Sequence, residues 1–313
     1  MRRIFIVYTL FLAAFCLLFN GCHPRTDQSV HGQPGTQLSA LDWFHRGNGW
    51  YEKGDYDRAV ADYDRAIADY NRAREINLTL ADVYNNRGLV WDIKGDYARA
   101  IADYNRAIEI NPGYPDPYNN RGLVWEIQGD PDRAIADYTR ALEVYPHFDA
   151  AYYNRGNVWY MKGDYNRAIA DYDKALEIEP GFSAAYNNRG DARDKKGDYA
   201  QAIADYNRAL AIDPRFVVAY NNQAWLLATC PDGKYRNGAK AVELALKAVE
   251  LTPDVYQLDT LAAAYAEAGK FEDAIATQER VISLLNKEGD TEVLAESIER
   301  LRYYEAHKPW RAK

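Results

Sequence analysis

The sequence predicts an all-α fold, a solenoid of antiparallel helix pairs in which each pair stacks on the next. A glycine turn recurs every 34 residues, at Gly95, Gly129, Gly163 and Gly197. On both sides of each turn, apolar residues follow the period of a helix, and the second segment ends in DYNRA or a close variant. Prolines then end four of these units, at Pro112, Pro146, Pro180 and Pro214. Each unit is therefore helix, turn, helix and stop.

The chain begins with a segment typical of an export signal. Arg2 and Arg3 precede an apolar run of sixteen residues from 4 to 19, and Gly21 precedes Cys22. This junction resembles a bacterial lipobox, so we interpret residues 1–21 as a lipoprotein-type signal peptide and Cys22 as the lipidation site. The run is shorter than the roughly 20 residues that a membrane-spanning helix needs. Ordinary secretion and an uncleaved anchor are the alternatives. Residues 22–39 lack apolar periodicity and are predicted to be a flexible, lipidated tether.

The repeats are predicted to fill residues 40–288. Six repeats are expected, or seven units if both divergent ones at the end are counted: 40–80, 81–114, 115–148, 149–182, 183–216, 217–253 and 254–288. The first unit is longer because a heptad is duplicated in DYDRAVA, DYDRAIA and DYNRARE, which predicts a protruding second helix. Residues 289–313 are predicted to be a capping helix and a tail, the helix covering the apolar face of the last repeat.

Small residues recur where the two helices of a unit must approach closely. They are Gly88, Gly122, Gly156 and Gly190 in the first helix, and Ala100, Ala134, Ala168 and Ala202 in the second. Together with the 34-residue period, this pattern resembles the tetratricopeptide repeat. The resemblance implies a right-handed superhelix whose concave surface is lined by the first helix of each repeat and binds a protein ligand.

The side of the first helix that the resemblance places on the concave surface is rich in asparagine. An amide carries donors and an acceptor, so a row of amides can pair with the main chain of an extended peptide. The pattern is similar to the asparagine-lined superhelix of O-linked N-acetylglucosamine transferases. We predict a peptide-binding groove lined by Asn85, Asn86, Asn119, Asn120, Asn154, Asn187, Asn188, Asn221 and Asn222. The alternative is that some of these amides bond the neighbouring helix and only define the stack.

On the packing side, the seventh residue of five repeats is arginine, and a buried guanidinium needs a partner. The second helix offers an aspartate at the edge of its buried stripe. Where Gln223 and Leu261 replace the arginine, Leu244 and Thr277 replace the aspartate. We therefore predict structural ion pairs, within a repeat or between neighbours, among Arg87, Asp103, Arg121, Asp137, Arg155, Asp171, Arg189 and Asp205. The alternative is an arginine stem that packs while its head lies in water. Tryptophans on the same side are predicted to be packing residues.

Charge and motifs exclude several function classes. Lys plus Arg is 38 against 46 Asp plus Glu, a net charge of -8, which disfavours a nucleic-acid partner. Acidic residues such as Asp92 and Glu126 on the concave side argue against a clamp for a terminal carboxylate and favour basic or neutral segments. No HExxH, GxSxG, GxxxxGK[ST] or GxGxxG string occurs, and the five histidines lack metal-ligand spacing. We expect no catalytic residue, no metal, no cofactor and no small-molecule substrate.

These observations predict a non-catalytic scaffold of a bacterial cell envelope. It would be held to the membrane by lipid at Cys22, with the outer membrane favoured, facing the periplasm or the surface. Its partner would be a protein, most simply another envelope protein, bound as an extended segment in the concave groove. The alternative is a structural or self-associating envelope protein whose groove has no ligand.

Overall fold

A computed structural model of the chain describes residues 38–73, 78–288 and 291–312. The signal peptide, Cys22 and all but the last two residues of the predicted tether lie outside these ranges. Fifteen α-helices, one 3-10 helix at Gly233–Tyr235 and no strand occur in the described residues, which confirms the predicted all-α class. The helices are α1 (Ala40–Glu52), α2 (Tyr56–Ala73), α3 (Leu78–Ile93), α4 (Tyr97–Ile110), α5 (Pro115–Ile127), α6 (Pro131–Val144), α7 (Asp149–Met161), α8 (Tyr165–Ile178), α9 (Ser183–Lys195), α10 (Tyr199–Ile212), α11 (Val217–Thr229), α12 (Gly238–Leu251), α13 (Val255–Glu267), α14 (Phe271–Glu288) and α15 (Thr291–Glu305).

The chain divides into two compact units, Met1–Val158 and Trp159–Lys313. In the first unit, α1 packs on α2, α3 on α4 and α5 on α6, and α2 and α4 contact the pairs that follow them. In the second unit, α9 packs on α10, α11 on α12 and α13 on α14 in the same way, and α15 packs on α14. The first helix of each pair is called the A helix and the second the B helix. Consecutive packing of helix pairs is therefore confirmed.

Glycine makes the turn between the A and B helices. Its φ of 74° to 82° lies in the left-handed region that favours glycine, at Gly54, Gly95, Gly129, Gly163, Gly197 and Gly269. An aspartate follows most of these glycines and caps the B helix. Asp130 Oδ1, for example, accepts a hydrogen bond of 3.0 Å from the Arg133 main-chain N–H. The turn and the start of the second helix are thus set by neighbouring residues.

A second glycine lets the A and B helices of one repeat come close. A Cβ atom placed on Gly47, Gly88 or Gly122 would lie 2.6 Å from a ring carbon of the B-helix tyrosine sixteen residues later. These rings, of which Tyr104 is one, are fully buried. Any side chain at the glycine would collide with the ring, which is the physical reason for the small residue.

The ends of the repeat region differ in detail from the prediction. Helix α2 has 18 residues against 14 in α4, so it is longer as expected, and residues 74–77 after it lie outside the described ranges. Helix α3 begins at Leu78, three residues before the predicted boundary at 81. At the other end, Val293 and Leu294 of α15 pack against Val255 and Leu285. Helix α15 thus covers apolar surface of the last repeat.

Candidate functional site

The predicted groove asparagines form rows of hydrogen-bonded amides along the A helices. The sixth residue of one repeat donates to the fifth residue of the preceding repeat. In the first unit, Nδ2 of Asn120 lies 3.0 Å from Oδ1 of Asn85. Nδ2 of Asn154 lies 3.0 Å from Oδ1 of Asn119. Within each unit the amides thus bond one A helix to the next.

The second unit carries a shorter row with the same geometry. Nδ2 of Asn222 lies 3.2 Å from Oδ1 of Asn187, and the Asn187 amide donates in turn to Asn188 at 3.0 Å. The row ends at Asn221, whose buried Oδ1 has no hydrogen-bond partner. Thr260 stands where the next asparagine donor would be, so the change of one residue type ends the row.

The first row also has a distinct beginning. Nδ2 of Asn86 donates to Oδ1 of Asn48 at 3.0 Å, and the Tyr63 hydroxyl donates to the same oxygen at 2.8 Å. In this first repeat the fifth and sixth positions hold Phe44 and His45 instead of asparagine. Asn48, the ninth residue of the repeat, supplies the amide in their place. An asparagine outside the predicted set therefore starts the row. Its signal in the sequence was an amide one helical turn after the histidine.

Burial decides how much of these amides a ligand could reach. Six of the nine predicted groove asparagines are between 1% and 7% exposed, whereas Asn86, Asn221 and Asn222 are half-buried. The observed hydrogen bonds are those of the structural alternative, in which amides define the stack. Contact of these amides with a peptide stays a prediction.

The arginine at the seventh position forms a two-bonded pair with the aspartate of its own B helix. Nε of Arg121 lies 2.8 Å from Oδ2 of Asp137, and its Nη2 lies 2.6 Å from Oδ1. Such paired bonds between guanidinium and carboxylate fix the orientation of both groups. The same geometry joins Arg46 to Asp62, Arg87 to Asp103 and Arg189 to Asp205. Of the remaining predicted residues, Arg155 belongs to the first unit and Asp171 to the second.

The third nitrogen of the same guanidinium reaches the preceding repeat, which the sequence reasoning missed. Nη1 of Arg189 lies 2.6 Å from Oδ1 of Asp173, and Nη1 of Arg155 lies 3.0 Å from the Thr139 hydroxyl. Arg87 and Arg121 make the equivalent bonds to Asp64 and Asn105. Where glutamine replaces the arginine, Nε2 of Gln223 still donates to Asn207 at 2.9 Å. The available signal was a polar residue two positions after each paired aspartate.

The tryptophans belong to this polar network and are only half-buried. Nε1 of Trp125 donates to Asp137 Oδ2 at 3.0 Å, and the Arg133 guanidinium lies 4.1 Å from the centre of the indole ring. Trp91 is covered in the same way by Arg99, at 3.9 Å. In the fifth repeat, Arg193 takes the place of the tryptophan. Trp50, Trp91 and Trp125 pack against buried clusters, as predicted. Their indoles also bond or stack with charged groups, which the prediction did not include.

The last turn of the A helices in the first unit combines acidic and apolar side chains. Ile93 is 45% and Ile127 42% exposed, one repeat apart. The residue before each is a half-buried carboxylic acid. Burial raises the pKa of Asp92 to about 6. Burial also raises the pKa of Glu126, to about 7. The hydrogen bond that the Tyr138 hydroxyl donates to this carboxylate acts in the opposite direction but is the smaller effect. This stretch of surface, Asp92, Ile93, Glu126 and Ile127, is called the acidic–apolar row.

The second unit has carboxylates on the A helix α9. The Tyr160 hydroxyl donates to Asp191, whose pKa is raised by burial. Burial, together with the nearby Asp191 charge, raises the pKa of Asp194 to about 6, and Lys195 acts in the opposite direction. Both units therefore carry carboxyl groups whose pKa is raised because burial disfavours the charged form.

In the described ranges, no cluster of three or more His, Cys, Asp or Glu side chains is placed to bind a metal. None of the described helices has the length and apolar character required to span a bilayer. Cys230 is buried rather than exposed in its loop, and burial raises the pKa of its thiol. A raised thiol pKa argues against nucleophilic use of this residue.

Comparison with known proteins gives one family and a set of solved folds. Models of the tetratricopeptide repeat match residues 81–114, 128–182 and 183–216. A tetratricopeptide repeat protein from Parabacteroides merdae is 20% identical, over 85% of this chain and 98% of that one, with a TM-score of 0.60. PilF from Pseudomonas aeruginosa is 19% identical, over 69% of this chain and 95% of that one, with a TM-score of 0.59. The C-terminal part of a TPR protein from Cytophaga hutchinsonii is 19% identical, over 71% and 88%, with a TM-score of 0.55. No curated protein matches the chain.

Proposed function

Because this chain is a tetratricopeptide repeat protein, we propose that it is a non-catalytic scaffold that binds an extended segment of a partner protein. The tetratricopeptide repeat itself serves chiefly to bind other proteins. The segment would lie across the A helices, in the concave groove that the family fold implies. The acidic–apolar row of the first unit carries the proposal, because it supplies exposed apolar surface and carboxylates without charge compensation at a regular spacing.

The row also indicates what kind of segment would bind. Asp92 and Glu126 have raised pKa values because burial removes water without supplying a cation. A lysine or arginine brought close by a partner would favour the charged carboxylate and pair with it. Ile93 and Ile127 would be covered by apolar side chains of the same segment, which removes apolar area from water. The expected partner segment is therefore basic and apolar.

The asparagines would act beside this row in two ways. Their mutual hydrogen bonds hold neighbouring A helices at a fixed spacing, so the carboxylates are presented by a rigid support. The half-buried amides, such as those of Asn86 and Asn222, would donate hydrogen bonds to main-chain carbonyl groups of a bound peptide. In this proposal the predicted groove asparagines position the site, and the acidic–apolar row supplies most of its chemistry.

Location in the cell envelope is a further part of the proposal. It is supported by the sequence of residues 1–22, in which Gly21 precedes Cys22 after a short apolar run. Lipid at Cys22 would anchor the protein, with the outer membrane favoured, and the partner would be another envelope protein. Cys22→Ala should release the protein from the membrane fraction, and the native protein should carry a diacylglycerol mass at its N-terminus. Equal fractionation of the two proteins would contradict the lipid anchor.

A crosslinked pull-down from envelope extract tests binding. We expect the native chain to capture a partner that Asp92→Asn/Glu126→Gln does not. The control is Glu109→Gln/Glu143→Gln, which also replaces two carboxylates in the same two repeats but on B helices, where both glutamates pair with nearby arginines. Equal recovery with both variants would refute the acidic–apolar row as the site. Self-association of the native chain without any other protein would support the structural alternative.

A further inference from the structure

The described C-terminal segment folds back onto the ends of two A helices in the second unit. The Ala312 main-chain N–H donates to the Thr229 carbonyl, at the end of α11, at 3.0 Å. Nη1 of Arg311 lies 2.7 Å from Oε2 of Glu267, the last residue of α13. The same nitrogen donates to the Ala228 carbonyl at 3.4 Å. Residues after α15 thus cross α13 and α11 without helical structure of their own.

Trp310 holds this segment through apolar contact. Its ring lies 5.0 Å from that of Tyr303, edge to face, and packs against the buried cluster that contains Ala262, Ala266 and Tyr304. Edge-to-face aromatic pairs add to the stabilisation that burial provides. The tail therefore contributes three kinds of contact: main chain, aromatic ring and guanidinium.

The surface beneath the tail offers hydrogen-bond acceptors and a carboxylate to the tail's N–H and guanidinium groups. The last four carbonyls of a helix lack partners within the helix, and the tail satisfies two of them in α11. The Glu267 side chain is only 13% exposed, and its Oε1 is held 3.0 Å from Nε of Arg236. Arg236 is in turn fixed by the Cys230 carbonyl at 2.7 Å. The carboxylate is thus oriented by the protein, and Oε2 remains for a second guanidinium.

We propose that residues 308–312 are an intramolecular ligand, and that the surface they cover on α11, α13 and α15 is a peptide site. The partner it fits is an extended protein segment in which an aromatic residue is followed directly by arginine. The site is separate from the acidic–apolar row and does not depend on binding there.

Covalent attachment keeps the site closed in the isolated chain. A ligand joined by a short linker acts at an effective concentration of about millimolar, so a free peptide of equal affinity must reach that concentration to compete. A segment without secondary structure of its own can leave without unfolding a helix. The site therefore opens for a partner that binds more tightly than the tail does.

The test uses the full chain and a fluorescent peptide with the sequence of residues 307–313, HKPWRAK. Trp310→Ala/Arg311→Ala should free the site and bind this peptide about tenfold or more tightly than the native chain does. Adding Glu267→Gln to that variant should weaken binding about tenfold. The control variant Tyr256→Ala/Lys247→Ala removes an aromatic residue and a cation elsewhere in the second unit, and it should bind as the native chain does.

A second measurement does not depend on the folding of any variant. Excess unlabelled peptide should accelerate hydrogen exchange at the amide of Ala312 in the native chain, because it displaces the tail. Unchanged exchange, or a tail variant that binds the peptide no more tightly than the native chain, would show that the tail is a permanent part of the fold. A dimer that forms by exchange of tails would overturn the assignment of a separate partner.

Discussion

The ion pair between Arg121 and Asp137 permits a quantitative test of the repeat architecture. The perturbation is a double-mutant cycle of Arg121→Leu, Asp137→Leu and the two together. Leucine is chosen because one divergent repeat of the second unit has leucine at the aspartate position, Leu244, and the other has leucine at the arginine position, Leu261. Leu261 and Leu244 are each 5% exposed there, so the site accepts an apolar residue.

The structure sets the expected magnitudes. Removing one partner of a buried pair costs about 3–5 kcal/mol, since the other charge is left without compensation. The side chains of Arg121 and Asp137 are 20% and 10% exposed, so Arg121→Leu belongs at the lower end, about 3 kcal/mol. Asp137→Leu should cost about 2 kcal/mol, because the guanidinium still reaches Asn105 and water. The double variant should cost about 1 kcal/mol, against about 5 kcal/mol for the two single costs added together, so the coupling energy should be about 4 kcal/mol.

The assay is urea unfolding of the four proteins, followed by far-ultraviolet circular dichroism at one pH and temperature. Arg121→Lys is a useful addition, because lysine keeps the charge but cannot make the two-bonded pair. It should be less stable than the native chain and more stable than Arg121→Leu. Costs that simply add in the double variant would refute the reasoning, since they would mean that the two side chains do not interact.

Three further outcomes follow from the geometry. Gly88→Ala should destabilise the fold by about 2 kcal/mol, because its Cβ atom would meet the buried ring of Tyr104. Gly49→Ala is the control and should not destabilise the fold, because no atom lies within 4 Å of the added Cβ. Thermal unfolding of the two variants compares them. Because burial raises the pKa of Asp92 and Glu126, the folded state binds more protons than the unfolded state between about pH 4 and 7, so stability falls as pH rises there. Asp92→Asn/Glu126→Gln should flatten that dependence in urea titrations at pH 5 and 7.5. Cys230 should react with a thiol reagent far more slowly in the native chain than in urea, and equal rates would contradict its burial.

The sequence was sufficient for features that each repeat contains within itself. The turn glycines and the close approach at Gly88 both follow from residues at fixed distances along the chain. The pairing of Arg121 with Asp137 also lay within reach, because the two residue types change together among the repeats. Local spacing determines these contacts, and the structure places them within a single helix pair.

Contacts between repeats were harder to predict. The Asn120 amide bonds the fifth rather than the sixth residue of the preceding repeat, and that offset depends on how neighbouring A helices are placed. The third nitrogen of Arg189 finds Asp173 for the same reason. The fold-back of Trp310 follows the last helix, where no period remains to guide a prediction. Residues 1–22 lie outside the described ranges, so the export signal stays a prediction.

The backward reach of the arginine has a consequence for how such a chain can change its length. Donor and acceptor of this contact both lie within every 34-residue unit, at its seventh and twenty-fifth positions. The acceptor is aspartate, asparagine or threonine in different repeats, and the bond forms in each case. A tandem gene duplication of one unit would therefore carry both halves of the contact and meet a suitable neighbour on either side. Arrays of this kind can grow or shrink by whole units while each junction stays chemically complete.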